Sequence, residues 1–276
     1  MATVIHPTAI VSKKSKLGMN IEIGPFCVVD DNVTLGDGTI LKPYAHVCDY
    51  TEVGAGCTFY DHSVIGGAPQ DLSYAGEVSW AKIGNGVVCR EFVTVNRATG
   101  ENNVTQIGDS TYIMENVHIA HNVEIGSDCT IANKTGIAGH VIIGNNVVIG
   151  GMCGIHQFVQ IGSYSMLGGM SRLTQDVPPF ALASGNPCYF YDINKVGLRR
   201  RGFDSSTRTK IREIYKLIYS NSTIKKDAMA YIADNFKNDS EASLILEFMN
   251  SATRGIVHSI KQDWNHNSPK EGQVTL

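Results

Sequence analysis

A chain of 276 residues with 43% apolar content is long enough for one large domain and a smaller companion. Its formal net charge of -3, from 23 basic and 26 acidic residues, excludes a nucleic-acid coat or a bulk anion binder, so any electrostatic recognition has to be local. Apolar runs are short and broken by glycine and no charged-then-apolar leader is present, so no stable membrane insertion and a cytoplasmic location are expected. Seven cysteines without a CxxC pair are then expected as reduced thiols.

From the first residues onward a period of six organises the chain. Every sixth position from Ile5 through Val11, Leu17, Ile23, Val29, Leu35, Leu41, Val47, Val53 and Phe59 to Ile65 is bulky and apolar. The frame resumes at Ile83, Cys89 and Val95, runs as isoleucine from Ile107 to Ile161 and ends at Leu167. Four residues after each large one stands a small or β-branched residue, such as Cys27, Cys57, Thr111, Cys129, Thr135 or Cys153, and the next position after the large one is often Gly, as in Gly18, Gly36, Gly108 and Gly144. Large residue, corner, small residue describes a hexapeptide-repeat solenoid, a left-handed parallel β-helix. Three hexads close one triangular coil, and residues about 18 apart stack at roughly 4.8 Å.

The rule fails at Asp71 and Glu77, within GGAPQDLSYAGEVSWAK, and at Glu101, within RATGENNVTQ, which predicts loop excursions near 66–82 and 97–106. Long loops on a rigid scaffold tend to carry function. Beyond Arg172 the Pro-rich QDVPPFALASGNP marks the exit, so the solenoid domain is assigned to 1–186. From Asp204 the period becomes helical: Ser205 or Ser206 caps a segment whose Ile211, Ile214, Tyr215 and Ile218 share a face. Further helices near 224–236 and 240–253 complete a helical domain over 187–265, and 266–276 reads as a disordered tail. Open prism ends and flat exposed faces predict a homotrimer.

Stacking arithmetic then sorts the histidines. His121, Gly139 and Gln157 each follow a large isoleucine by two residues and form one vertical column, with His118, His140 and His156 beside it. One imidazole could act as general base, others could bind a polar substrate, and Gly139 leaves its N–H open to an oxyanion. Alternatively these are solvent-facing corner residues without a task, or a zinc cluster lacking an obvious thiol or carboxylate to complete it. A second column, Asn133, Gly151 and Gly169, could seat a fatty chain or simply turn corners. Arg199, Arg200 and Arg201, followed by Lys210, Arg212, Lys216, Lys225 and Lys226, suit a phosphate or an acidic carrier protein, or else a solvated helix face.

These motifs, from IHPTAIV through IGPFCVV, PQDLSYAGE, HIAHNVEIG, AGHVIIG, GGMCGIHQFVQIG and QDVPPFALASGNP to GLRRRGF and SATRG, resemble those of the UDP-N-acetylglucosamine 3-O-acyltransferase family of lipid A synthesis in Gram-negative bacteria. The resemblance covers nearly the whole chain. It implies a cytoplasmic homotrimer that takes a 3-hydroxyacyl chain from acyl carrier protein and places it on UDP-N-acetylglucosamine, with no metal or dissociable cofactor. It further implies His121 in HIAHN as general base and Gly139 in AGH as oxyanion donor. Gln70 and Asp71 in PQDL, with His118 and His140, would contact the sugar. His156 and Gln157 in GIHQF, Asn194 in DINK, and Arg200 and Arg201 would grip the nucleotide. Gly169 matches the position limiting acyl length and as glycine would admit about twelve carbons or more. Ser73, Asn122 and Val196 depart from the family pattern, which usually has lysine, aspartate and an acidic residue there, and leave open whether a 3-hydroxyl or a 3-amino sugar is acylated. Two rival readings of the fold are a zinc lyase of the carbonic anhydrase type and a non-catalytic solenoid.

Overall fold

The computed structural model describes residues 2–220 and 225–260. Short strands alternate with corners, and in the regular coils each strand pairs in parallel with the strand three places further on. The result is a triangular prism with faces of eleven, nine and eight strands, a left-handed parallel β-helix. Pairings such as Ile113 with Ile131 and Ile131 with Ile149 hold the 18-residue register. The large column fills the interior: Ile119, Ile131, Ile137 and Ile149 are wholly buried. The small column lies beside it, where Cys129 Sγ donates to Gly144 O at 3.1 Å, Cys153 Sγ to Gly168 O at 3.2 Å and Thr111 Oγ1 to Gly126 O at 3.0 Å. All seven cysteines are free thiols.

The first coil departs from this pattern. Ile5 is 43% exposed, and Val11 and Leu17 only half-buried, because no coil lies beneath them. The two excursions are also tighter than expected. Strands Val64–Gly67, Trp80–Ile83 and Val104–Ile107 extend to the loop margins, leaving 68–79 and 97–103 as the loops. Four-residue pairing of Trp80–Ile83 with Val104–Ile107 is what lengthens the ladder there.

The prism does not stop at residue 186. Ala181–Ser184 joins the eleven-stranded face and pairs antiparallel with Tyr189–Ile193, whose Phe190 and Ile193 close the open end. The core then continues unbroken into the helices, so 187 marks no boundary between two cores. Helix α1, Lys195–Arg200, has no counterpart in the sequence reading. Helix α2, Ser205–Ile218, buries Ile211, Ile214, Tyr215 and Ile218, the face expected. Its cap is Asp204 rather than Ser205 or Ser206. The Asp204 carboxylate accepts from Thr207 N at 2.7 Å, where the helix dipole favours negative charge. Helices α3, Lys225–Asn235, and α4, Ser240–Ser251, follow. The expected helix start at Ile224 and the tail over 266–276 lie outside the described residues. No helix among the described residues is long and apolar enough to cross a membrane.

Replacing Ile131 by alanine should cost about 2–5 kcal/mol, because the close-packed prism cannot collapse onto the cavity. Denaturant unfolding of the two proteins checks this.

Candidate functional site

Both loops leave the prism at the same corner, where the nine-stranded face turns into the eight-stranded one. His121 sits at that corner one coil further on, Gly139 on the next and Gln157 on the third. Beside them runs a cleft of about 680 Å³ lined by Gln70, His118, His121, Gly139, His156, Gln157 and Arg172, among others. Its floor is formed by consecutive outward positions of the nine-stranded face, His118, Gly136, Gly154 and Arg172, which pair in register. The two glycines bare that floor; an added Cβ at either would meet nothing within 4 Å. The His118–Gly136–Gly154–Arg172 column keeps the same 18-residue spacing, but the spacing alone does not say that these positions face outward.

The His121 side chain is only 14% exposed. Its Nδ1 lies 2.9 Å from Asn122 Oδ1, an oxygen that also accepts from Thr99 N and Thr99 Oγ1 at 2.9 Å each. Asn122 Nδ2 in turn donates to Thr99 O at 3.1 Å. That reciprocal pairing fixes which amide atom is oxygen, so Nδ1 is the donor to it and, in the neutral imidazole, the lone pair falls on Nε2. Nε2 is 3.6 Å from Asp71 Oδ2, too far for a hydrogen bond and open to an intervening group. An ideal Cβ on Gly139 would fall 2.6 Å from His121 Cε1, so only glycine lets the imidazole lie against this corner. Gly139 O accepts from Phe158 N at 3.2 Å, while the Gly139 N–H has no partner among the described residues.

The loops hold Asp71 over this corner. Ser73 donates to Asp71 Oδ1 from both N and Oγ at 2.8 Å, which keeps the carboxyl below its usual range with further help from the charges of His121 and His140. Ser73, which stands where the family pattern usually has lysine, therefore orients the loop carboxylate. Arg97 Nη2 donates to Tyr74 Oη at 2.9 Å and Nη1 to Gly66 O at 3.2 Å, and Glu77 Oε1 accepts from Gly100 N at 2.8 Å, which stitches one loop to the other. These partners lie 23 or more residues apart and follow no period. His140 packs edge-on to His121 and face-on to Phe158, with centroids 5.3 and 4.8 Å apart. His118 Nδ1 lies 2.7 Å from Thr94 Oγ1.

Other expected residues lie elsewhere on the single chain. Asn194 caps α1: its Oδ1 accepts from Gly197 N at 3.1 Å and its Nδ2 donates to Tyr164 O at 2.9 Å. Arg201 Nη2 donates to Asp128 O at 3.0 Å. Tyr164 and Asp128 belong to the corner between the eight- and eleven-stranded faces, so Asn194, Arg200 and Arg201 lie along a different edge from His121. Gly169 stacks on Gly151 at the third corner, 3.2 Å from its carbonyl oxygen if given a Cβ. Much of the basic helix face is paired internally: Lys210 with Asp239 and Glu241, Arg212 with Asp192, Lys216 with Glu213. Nor do the cleft imidazoles gather with a third metal donor; among the described residues such a group forms at Asp30, His46 and Cys48.

Residues 176–257 match the family model described as UDP N-acetylglucosamine O-acyltransferase, domain 2, and residues 105–139 match the bacterial transferase hexapeptide model. An acyl-[acyl-carrier-protein]–UDP-N-acetylglucosamine O-acyltransferase of Thermodesulfovibrio yellowstonii is 43% identical over 91% of this chain and 98% of that protein. The UDP-N-acetylglucosamine acyltransferase structure from Francisella novicida superposes with TM-score 0.91 at 31% identity, covering 95% of this chain and 98% of that one. That from Acinetobacter baumannii gives 0.89 at 39% identity, covering 92% and 99%.

Burial lowers the pKa of both His118 and His140, and the charge of His121 adds to the effect; the Asp71 carboxylate partly opposes it at His140. The unfolded chain, near the ordinary value of about 6.5, then binds these protons first, so stability is lost as pH falls below that value towards the lowered folded ones. Denaturant midpoints between pH 8 and 5.5 should fall in the parent and fall less in His118→Gln.

Proposed function

This chain belongs to the acyl-[acyl-carrier-protein]–UDP-N-acetylglucosamine O-acyltransferase family, and from that premise we propose that it moves a 3-hydroxyacyl chain from acyl carrier protein to the 3-hydroxyl of UDP-N-acetylglucosamine with His121 as general base. Family membership removes the lyase and the non-catalytic solenoid as readings of the prism. The observation that carries the residue-level account is His121 Nε2 packed against the Gly139 corner, with the ionised Asp71 carboxylate 3.6 Å away.

In the proposed reaction the sugar hydroxyl stands between Asp71 and His121 Nε2. As its oxygen attacks the thioester carbonyl, its proton passes to Nε2, and the Gly139 N–H receives the oxyanion. Collapse breaks the carbon–sulfur bond, and the imidazolium returns the proton to the leaving carrier-protein thiolate. Neutral His118 and His140 can then hydrogen-bond sugar hydroxyls without adding positive charge beside the base. No step calls for a metal or a dissociable cofactor.

His156 and Gln157 at the cleft mouth, with Asn194, Arg200 and Arg201, are assigned to the nucleotide. The last three lie on another edge of the same prism, so this assignment requires a neighbouring copy to supply them, and we take the working unit to be the homotrimer. The acyl chain is assigned to the bare floor of the nine-stranded face. From Gly136 and Gly154 the coil containing Gly154 leads back over three residues, about 10 Å, to Gly151 and its stacked neighbour Gly169. The free thiols accord with a reducing compartment, which we take to be the cytoplasm.

Incubation with UDP-N-acetylglucosamine and a panel of 3-hydroxyacyl carrier proteins, read by product mass, tests the reading. The expected product is the sugar ester, and His121→Ala should lower its rate about 10²- to 10⁴-fold at unchanged stability. No ester with any donor would reject the assignment. Gly154→Leu has room for its Cβ and should fold normally. It should lower kcat/KM for donors of about twelve carbons or more roughly 10- to 100-fold, while a short donor keeps its rate.

A further inference from the structure

Three of the seven thiols lie outside the small inward slots, and one of these, Cys48, stands at a corner. Cys27, Cys57, Cys129 and Cys153 occupy small inward slots and donate to main-chain carbonyls at 3.0 to 3.2 Å. Cys48 instead follows the large residue Val47 directly, a corner position where this chain often has glycine. Its sulfur has no hydrogen-bond partner among the described residues, although the residue is only 9% exposed. Asp30 holds the same corner position one coil below, after Val29, and its Oδ2 lies 3.0 Å from His46 Nε2. His46 stands on the nine-stranded face in register with Val28 on one side and Val64 on the other. One donor atom from each of Asp30, His46 and Cys48 lies within 4.8 Å of the other two.

We propose that Asp30, His46 and Cys48 form a binding site for a zinc-class divalent cation, bracing the coil directly beneath the strand from which the Asp71 loop departs. Thiolate, imidazole and carboxylate together suit a borderline-soft ion with tetrahedral preference, and water completes the fourth position. Calcium and magnesium would not select a set containing sulfur and nitrogen. A Cys–His–Asp nucleophile fits less well, because a sulfur this covered offers no approach to a substrate. Asp30 Oδ2 and His46 Nε2 already stand 3.0 Å apart, and the three donors lie within 4.8 Å of one another. The next strand of the same face, Val64–Gly67, pairs with His46–Val47 and leads straight into the loop at 68–79, so the bound ion ties down that loop's root. The site needs neither the acyl donor nor His121 and stands or falls apart from the proposed reaction.

The test uses the full-length protein, freed of metal with a chelator under reducing conditions and titrated with cobalt(II). Tetrahedral visible bands and a near-ultraviolet thiolate-to-cobalt charge-transfer band should saturate at one ion per chain and disappear on adding zinc. Cys48→Ser should lose the charge-transfer band and His46→Ala should weaken binding, while both keep the parent circular dichroism. Zinc should raise the Tm of the parent and leave that of Cys48→Ser unchanged. Absence of the charge-transfer band in the parent, or its persistence in Cys48→Ser, overturns the proposal.

Discussion

Parallel pairing at an interval of eighteen residues governs this molecule. Because each strand lies over the one a coil earlier, any side chain placed at a given point of a hexad is stacked on its counterparts above and below. Inward, this repetition builds a close-packed column of isoleucines whose strands are tied coil to coil by backbone bonds such as Tyr112 N to Cys129 O and Met114 N to Ile131 O. Outward, it turns single residues into linear arrays. His121 over Gly139 over Gln157 is one such array, and His118 over Gly136 over Gly154 over Arg172 is another. The cleft is the strip where these two run side by side.

The same constraint explains where the loops are allowed. A residue inserted within a strand would shift every later side chain by one place and turn core into surface, whereas an insertion at a corner leaves the ladders on either side intact. Both excursions use the nine-to-eight corner in consecutive coils, so they rise next to each other and can be joined by Arg97 to Tyr74 and Glu77 to Gly100. A carboxylate on a loop alone would be poorly positioned. Ser73 and this stitching hold Asp71 at a defined distance from an imidazole on the rigid wall.

What could be read beforehand divides along that line. The coils, the inward cysteines, the His121–Gly139–Gln157 column and the apolar face of Ile211, Ile214, Tyr215 and Ile218 are periodic, and a period survives in a single sequence. Contacts between Thr99 and Asn122, or between Glu77 and Gly100, join residues 23 apart across an irregular loop and leave no periodic trace. The substitution of Cβ-free positions for a lined floor at Gly136 and Gly154 was periodic, yet it is legible only once the outward direction of each slot is known. The first turn of α1 was obscured because GLRRRGF reads as a charge cluster before it reads as a helix, and its capping residue Asn194 follows a strand rather than a loop.

Asn122 shows how these layers combine in the proposed chemistry. A carboxylate at this position would stabilise an imidazolium directly, through Nδ1–H. Here the acceptor is neutral, and its other end donates to Thr99 O, a bond that a carboxylate oxygen could not make without facing another oxygen. The chain thus uses residue 122 to lock the tautomer and to tie the second loop to the wall. The negative charge that an imidazolium calls for lies on the opposite side of the ring, at Asp71, kept ionised by the two Ser73 donors. Ser73 and Asn122, which depart from the family pattern separately, make one arrangement: orientation comes from the wall and charge from the loop. Charge stabilisation of the base is then complete only while the Asp71 loop is seated over it.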